Sequence, residues 1–197
     1  ETMNILINGV GGPTPRSISR SILRLSKFKD AKLYGTDINR TAYGLYEDDL
    51  YTKTFIIPRA SDPNYWTEIK NIVEEYNIDF AMVHPELEVL EWTRFKKEGG
   101  EWPCKALLPT HELVEILIDK GRMTEVLKDF DGFVPPSVQI DPKCIDFDAI
   151  EKTLGYPFWI RSTSGSSGLG SLKVEDAESL KTWIHINPGV TEFIASK

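Results

Sequence analysis

Short apolar runs and amphipathic stretches alternate along the first half of the chain. Residues 3–8 (MNILIN), 31–37 (AKLYGTD), 53–58 (KTFIIP), 79–85 (DFAMVHP) and 105–110 (KALLPT) are brief, continuous and bounded by Gly, Pro or Asp, the pattern of strands buried on both faces of a parallel sheet. Between them, residues 16–27 carry Ile18, Ile22, Leu23 and Leu25 on one stripe. Asp62-Pro63 reads as an N-cap and first helical residue opening residues 64–76, with Trp66, Ile69, Ile72 and Val73 facing inward. This alternation predicts an open, doubly wound α/β sheet, in which ligands sit at the carboxyl ends of the strands.

The pattern changes near residue 110. Thr110 is a candidate N-cap for one helical region over residues 111–130, ending by Gly132. Residues 133–140 (FVPPSVQI) then run extended, because each residue before a proline is pushed out of the helical basin. A helix at 146–155, strands at 156–162 and 171–175, a helix at 176–187 and a strand at 190–197 follow. Two domains are therefore expected, 1–109 and 110–197, without a low-complexity linker.

Composition supports a packed globular chain: 197 residues, 41% hydrophobic, with five Trp, nine Phe and seven Tyr. The formal charge of -7 repels phosphate backbones and anionic lipid, and no basic stripe opposes it. No nucleic-acid partner is expected. No stretch reaches the ~20 apolar residues of a membrane span, and the amino terminus has no signal-peptide pattern; the expectation is a cytoplasmic protein without a membrane partner. Cys104 and Cys144 stand alone, outside any disulfide or zinc spacing.

Three loops could carry chemistry. The first, NGVGGPTPRS at 8–17, occupies the place of a dinucleotide fingerprint but departs from it. Gly9, Gly11 and Gly12 are present, Thr14 replaces the third glycine, and Pro13 and Pro15 each remove a backbone donor. Asp37 mimics the acidic residue that would hold a ribose. A dinucleotide site, a plain tight turn and a small-substrate site at this strand end all remain open. The second loop, VHPELEVLEW at 83–92, offers His84, Glu86 and Glu88, which could grip an amine or a cation, or could simply complement the first turn of the next helix. No spacing there fixes a metal.

The third is residues 155–174, GYPFWIRSTSGSSGLGSLKV. Its Gly/Ser tract lies between two strand patterns and reads as a hairpin loop, not a linker. Gly165, Gly168 and Gly170 let backbone N–H groups approach a ligand, and Ser162, Thr163, Ser164, Ser166 and Ser167 add hydroxyls. Arg161 at the strand end supplies a permanent cation and a bidentate fork. No Gly-Lys-Ser/Thr follows, so this is not a P-loop. It suits a cover over a phosphate chain, with Lys120 and Arg122 of DKGRM as further cations.

DKGRMTEVLKDFDGFVPPS, then GYPFWIRSTSGSSGLGSLKV, then VTEFIAS, in that order, resemble the ATP-grasp family over nearly the whole chain. Arginine at 161 and 122 makes the chain most similar to the carbamoyl-phosphate synthase large subunit and its smaller relatives. The resemblance implies a fold class of α/β, a Rossmann-like open parallel sheet followed by a partial α+β ATP-grasp domain. It implies that Lys120, Arg122, Arg161 and the mobile lid at 164–170, with Ser164, Gly165, Ser166, Ser167 and Gly168, bind the phosphates of ATP. It also implies that Gly11, Gly12, Glu86 and Glu88 of the αβ domain hold a small-molecule carboxylate substrate. Family members pass the γ-phosphoryl group of ATP to a carboxylate and let an amine attack the acyl phosphate, with magnesium balancing the charge. The magnesium ligands lie beyond residue 197 in the family, so a chain ending at Lys197 is expected not to turn over. The lid lacks the denser glycine run of the synthase, which argues against carbamoyl phosphate as product. Two other readings remain: a nucleotide- or metabolite-binding protein without turnover, and a nicotinamide-dependent oxidoreductase using the first half.

Overall fold

The computed structural model describes residues 2–130, 132–164 and 170–197. The chain divides into two compact units, Glu1–Val114 and Glu115–Lys197. The first contains β1 (Asn4–Asn8), α1 (Pro13–Arg24), β2 (Lys32–Asp37), β3 (Lys53–Ile56), α2 (Tyr65–Glu75), β4 (Phe80–Met82), α3 (Glu86–Lys97) and β5 (Lys105–Ala106). Its five strands are parallel in the order β3-β2-β1-β4-β5. Both faces are covered, which is why the strands read as continuous apolar runs. Leu6, Tyr34 and Ala81 pack against Tyr65, Ile69, Ile72 and Val73 of α2 and Trp92 of α3. On the other face, Ile5, Ile7 and Leu33 meet Val10, Leu45, Leu50 and Tyr51, with Ile22 and Leu23 of α1 against them.

The helix ends differ from the sequence expectation in ways that follow from capping. α1 begins at Pro13, because prolines fit the first turn of a helix, where N–H groups have no intrahelical partner, and it stops at Arg24, with Leu25 extended and exposed. α2 has Asn64 in its N-cap position, without a side-chain capping bond, instead of Asp62, whose Oδ1 accepts from Asn64 N–H at 2.8 Å and makes a separate turn before the helix.

α4 (His111–Ile118) and α5 (Lys120–Leu127) are two helices where one was expected. Asp119 interrupts them with φ -101° and ψ 108°, and its carboxylate accepts from Arg122 N–H at 2.9 Å. A side-chain acceptor thus starts a new helix inside an otherwise periodic stretch. Thr110 Oγ1 receives only a long bond, 3.4 Å, from Leu113 N–H.

The second unit continues with β6 (Ser137–Ile140), α6 (Phe147–Leu154), β7 (Phe158–Ser162), β8 (Leu172–Val174), α7 (Ala177–Ile186) and β9 (Phe193–Ser196). The strands form an antiparallel sheet in the order β6-β9-β7-β8, with β7 and β8 paired as the expected hairpin. One face buries Phe158, Ile160, Val174, Phe193 and Ala195 against Ile150 and Leu154 of α6 and Leu180 of α7. Asp176 and Ser179 close α7 with a reciprocal capping box. Among the described residues no helix is long and apolar enough to cross a membrane.

Leu180 is fully buried, so Leu180→Ala is expected to destabilise the chain by about 2–5 kcal/mol. Asp176→Ala removes only a cap and should cost about 1 kcal/mol. Urea unfolding measures both, and an equal effect would contradict this division of roles.

Candidate functional site

In the second unit, strand periodicity decides which groups face outward. Along β7, Phe158, Ile160 and Ser162 are buried while Trp159 and Arg161 are exposed. Pairing sets Gln139 and Arg161 on either side of Ile194, and Trp159 opposite Ser196, so these residues share the face away from α6 and α7. The Arg161 guanidinium donates to Ser196 Oγ at 3.3 Å. A cleft of about 240 Å³ opens here, lined by Pro135, Trp159, Arg161, Ser171, Ser196 and Lys197. The Lys197 ammonium turns to the carbonyls of Gly155 and Pro157, 3.3 Å from each.

The start of α5 is held at the carboxyl end of β7. Lys120 N–H donates to Thr163 O at 2.9 Å. A Cβ at Gly121 would lie 2.7 Å from Gln139 Nε2 and 3.2 Å from Thr163 Cγ2, so glycine permits the close approach. Arg122, one turn in, is exposed and has no side-chain partner among the described residues. Ser164 follows, its N–H donating to Ser162 Oγ at 3.3 Å. Gly165, Ser166, Ser167 and Gly168 lie outside the described residues. Gly170, two residues before β8, has φ +74° and a carbonyl that accepts from Trp183 Nε1 at 3.3 Å. The backbone at Lys120, the strand end at Arg161 to Thr163 and both bases of the loop therefore meet at one end of this sheet.

In the first unit, the β1–α1 loop is occupied by the protein itself. The Asp37 carboxylate accepts from the N–H groups of Gly11 and Asn39, each at 2.8 Å, instead of standing open for a ribose. A Cβ on Gly11 would meet Ala42 Cβ at 2.8 Å and Asp37 Oδ2 at 2.9 Å, so this glycine serves an internal contact. Gly12 caps α1 and donates to Gly9 O at 3.0 Å. With Pro13 and Pro15 in the first turn, that helix end has few donors left for an anion.

Glu86 and Glu88 fall in the first turn of α3, without capping its N-terminus through their side chains. Glu86 is half-buried with no side-chain partner among the described residues. Glu88 is buried and accepts from Asn8 Nδ2 and Tyr65 OH, each at 2.5 Å, while Tyr65 OH accepts from Trp92 Nε1 at 2.9 Å. Burial pushes the Glu88 carboxyl above its ordinary range, and the two donors oppose that rise. Burial likewise pushes the half-buried His84 imidazole downward, and its Nε2 has no partner among the described residues. Asn8, Tyr65, Trp92 and Ser196 went unnoticed as site residues in sequence, since each sits in a run that reads as core or helix.

Among the described residues no group of three or more His, Cys, Asp or Glu could hold a metal ion. Hydroxyls and cations line the Arg161 face, a donor set that suits an anion and does not supply magnesium ligands.

Because burial raises the Glu88 carboxyl in the folded chain above its value in the unfolded one, its contribution to stability is largest in acid. That contribution declines as pH rises from the ordinary value of 4.5 to the higher folded value. Glu88→Gln is expected to remove this decline, so the stability of the native chain relative to the variant should fall across that window in urea titrations at stepped pH. A difference that does not change with pH would contradict the buried-carboxyl assignment.

No family model matches the chain, and no curated protein matches it. Solved structures do. N5-carboxyaminoimidazole synthetase from Staphylococcus aureus, complexed with ADP, superposes with a TM-score of 0.68 at 18% identity, covering 100% of this chain and 48% of that one. The biotin carboxylase domain of 2-oxoglutarate carboxylase from Hydrogenobacter thermophilus, in complex with MgADP, ADP and bicarbonate, gives 0.63 at 17%, covering 100% and 44%. D-alanine–D-alanine ligase from Bacillus anthracis gives 0.61 at 17%, covering 100% and 57%. The chain thus spans about half the length of these solved chains. These neighbours are ATP-grasp ligases, and the chain has the fold of the matched portion of them: a Rossmann-like α/β unit on a parallel five-stranded sheet followed by an α+β unit on an antiparallel sheet.

Proposed function

We propose that this chain is the ATP-binding portion of an ATP-dependent carboxylate–amine ligase of the ATP-grasp type, related to the carbamoyl-phosphate synthase large subunit, with its ATP-grasp part beginning near residue 110. The observation that carries the reading is the exposed Arg161 beside a cleft, on the strand that leads into the Gly/Ser loop, with the start of α5 bonded to the same strand end. Arg161, Arg122 and Lys120 would oppose the charge of a triphosphate, and Ser164 with the loop through Gly165, Ser166, Ser167 and Gly168 would donate to its oxygens. Magnesium, when bound, would neutralise charge on the transferring group.

The reaction balances as two displacements. A substrate carboxylate oxygen attacks the γ-phosphorus and the bridging P–O bond breaks, releasing ADP. An amine then attacks the acyl carbon, phosphate leaves with the C–O bond electrons, and the nitrogen loses a proton to give the amide. The chain's cations and hydroxyls would stabilise the equatorial charge of the first step. Substrate would sit at the carboxyl ends of the parallel strands, where Gly11, Gly12, Glu86 and Glu88 are.

ADP and ATP are expected to raise the melting temperature of the chain, because a ligand for the native state stabilises it by mass action. Arg161→Ala should weaken ADP binding by about 1.5–3 kcal/mol in calorimetric titration while leaving the fold intact, since the side chain is exposed. Arg161→Lys distinguishes the guanidinium fork from charge alone. A shift with NAD and none with ATP or ADP would overturn the reading.

A further inference from the structure

The polar groups behind the carboxyl end of β1 are incompletely satisfied in one direction. Asn8 and Thr36 are partners in the parallel register of β1 and β2 and are both 0% exposed. Asn8 gives its amide N–H to Glu88, so its Oδ1 is fixed as an acceptor, and that oxygen has no donor among the described residues. Thr36 Oγ1, beside it, also has no partner among the described residues. Buried polar atoms are nearly always bonded, and each exception calls for an explanation such as a ligand or a bound water.

We propose that Asn8 Oδ1, Thr36 Oγ1 and Glu88 together take a primary ammonium group. An ammonium carries three N–H donors and a positive charge. Two oxygens without donors and a carboxylate complement it in number and in sign. The surroundings exclude an anion. Asp37 adds negative charge next to Glu88, the N–H of Gly11 is already given to Asp37, and Arg16 and Arg20 are paired with Glu47. The position also suits a ligand, because β1 is where strand order reverses between β2 and β4, the crevice that open parallel sheets use for binding. The recognition itself stands on the geometry of the first unit alone. That the ammonium belongs to the amine-bearing substrate of the ligation rests on the proposed function.

The probe is methylammonium chloride, added to the 197-residue chain without nucleotide and compared with tetramethylammonium chloride and sodium chloride at equal ionic strength. Methylammonium is expected to raise the melting temperature by about 3 °C near saturation, while the other two salts, which offer a charge but no N–H, do not. Thr36→Val removes only an unpartnered hydroxyl, so it should fold and lose the methylammonium shift; Glu88→Gln should lose it too. Equal shifts with all three salts, a full shift in Thr36→Val, or no methylammonium shift and an ordered water bonded to Asn8 Oδ1 would each overturn the proposal. ADP titration of Thr36→Val separates the two readings: unchanged ADP binding with a lost methylammonium shift supports the ammonium site, whereas parallel loss of both overturns this selective role.

Discussion

The parity of β7 governs the second unit. Burying Phe158, Ile160 and Ser162 on the side of α6 and α7 obliges Trp159 and Arg161 to emerge on the other. A slip of one residue would place a guanidinium in the apolar core and a phenylalanine in the cleft. The antiparallel pairing with β9 then supplies Ser196 to the guanidinium and buries Phe193 and Ala195 beside Ile160. Hydrophobic packing on one face thereby sets the position of a cation on the opposite face, without any direct interaction between the two.

α5 adds a second constraint at the same strand end. Its break from α4 at Asp119 frees the Lys120 N–H to bond Thr163, and the missing side chain at Gly121 lets the helix start close on β6 and β7. A continuous helix through residue 119 would spend the Lys120 N–H inside its own ladder. The interruption therefore ties the helix that carries Arg122 to the strand that carries Arg161.

In the first unit, the loop that most resembles a dinucleotide fingerprint is closed by the protein's own groups. Asp37 takes the N–H of Gly11, Ala42 fills the space a Cβ would need, and the prolines of α1 withdraw donors from its amino end. What stays available lies one layer deeper, where Trp92, Tyr65 and Asn8 orient around Glu88. A network of this kind is costly when incomplete and gives a defined geometry when complete.

The alternation of strands and helices, the β7–β8 hairpin and the place of Arg161 on the strand before its loop were legible in the chain, because periods of 2 and 3.6 residues are local properties. So was the glycine and serine content of the loop between them. Helix starts at Asn64 and Asp119 were not, since competing acceptors a few residues apart differ only in which turn the folded backbone adopts. The meeting of Arg161 with Ser196, 35 residues away, and of Asn8 with Glu88, 80 residues away, came from the order of strands in each sheet. Local pattern determined which residues form strands and which side they show; only the assembled sheets decided which distant residues share that side, because burial and pairing are satisfied by the whole chain at once.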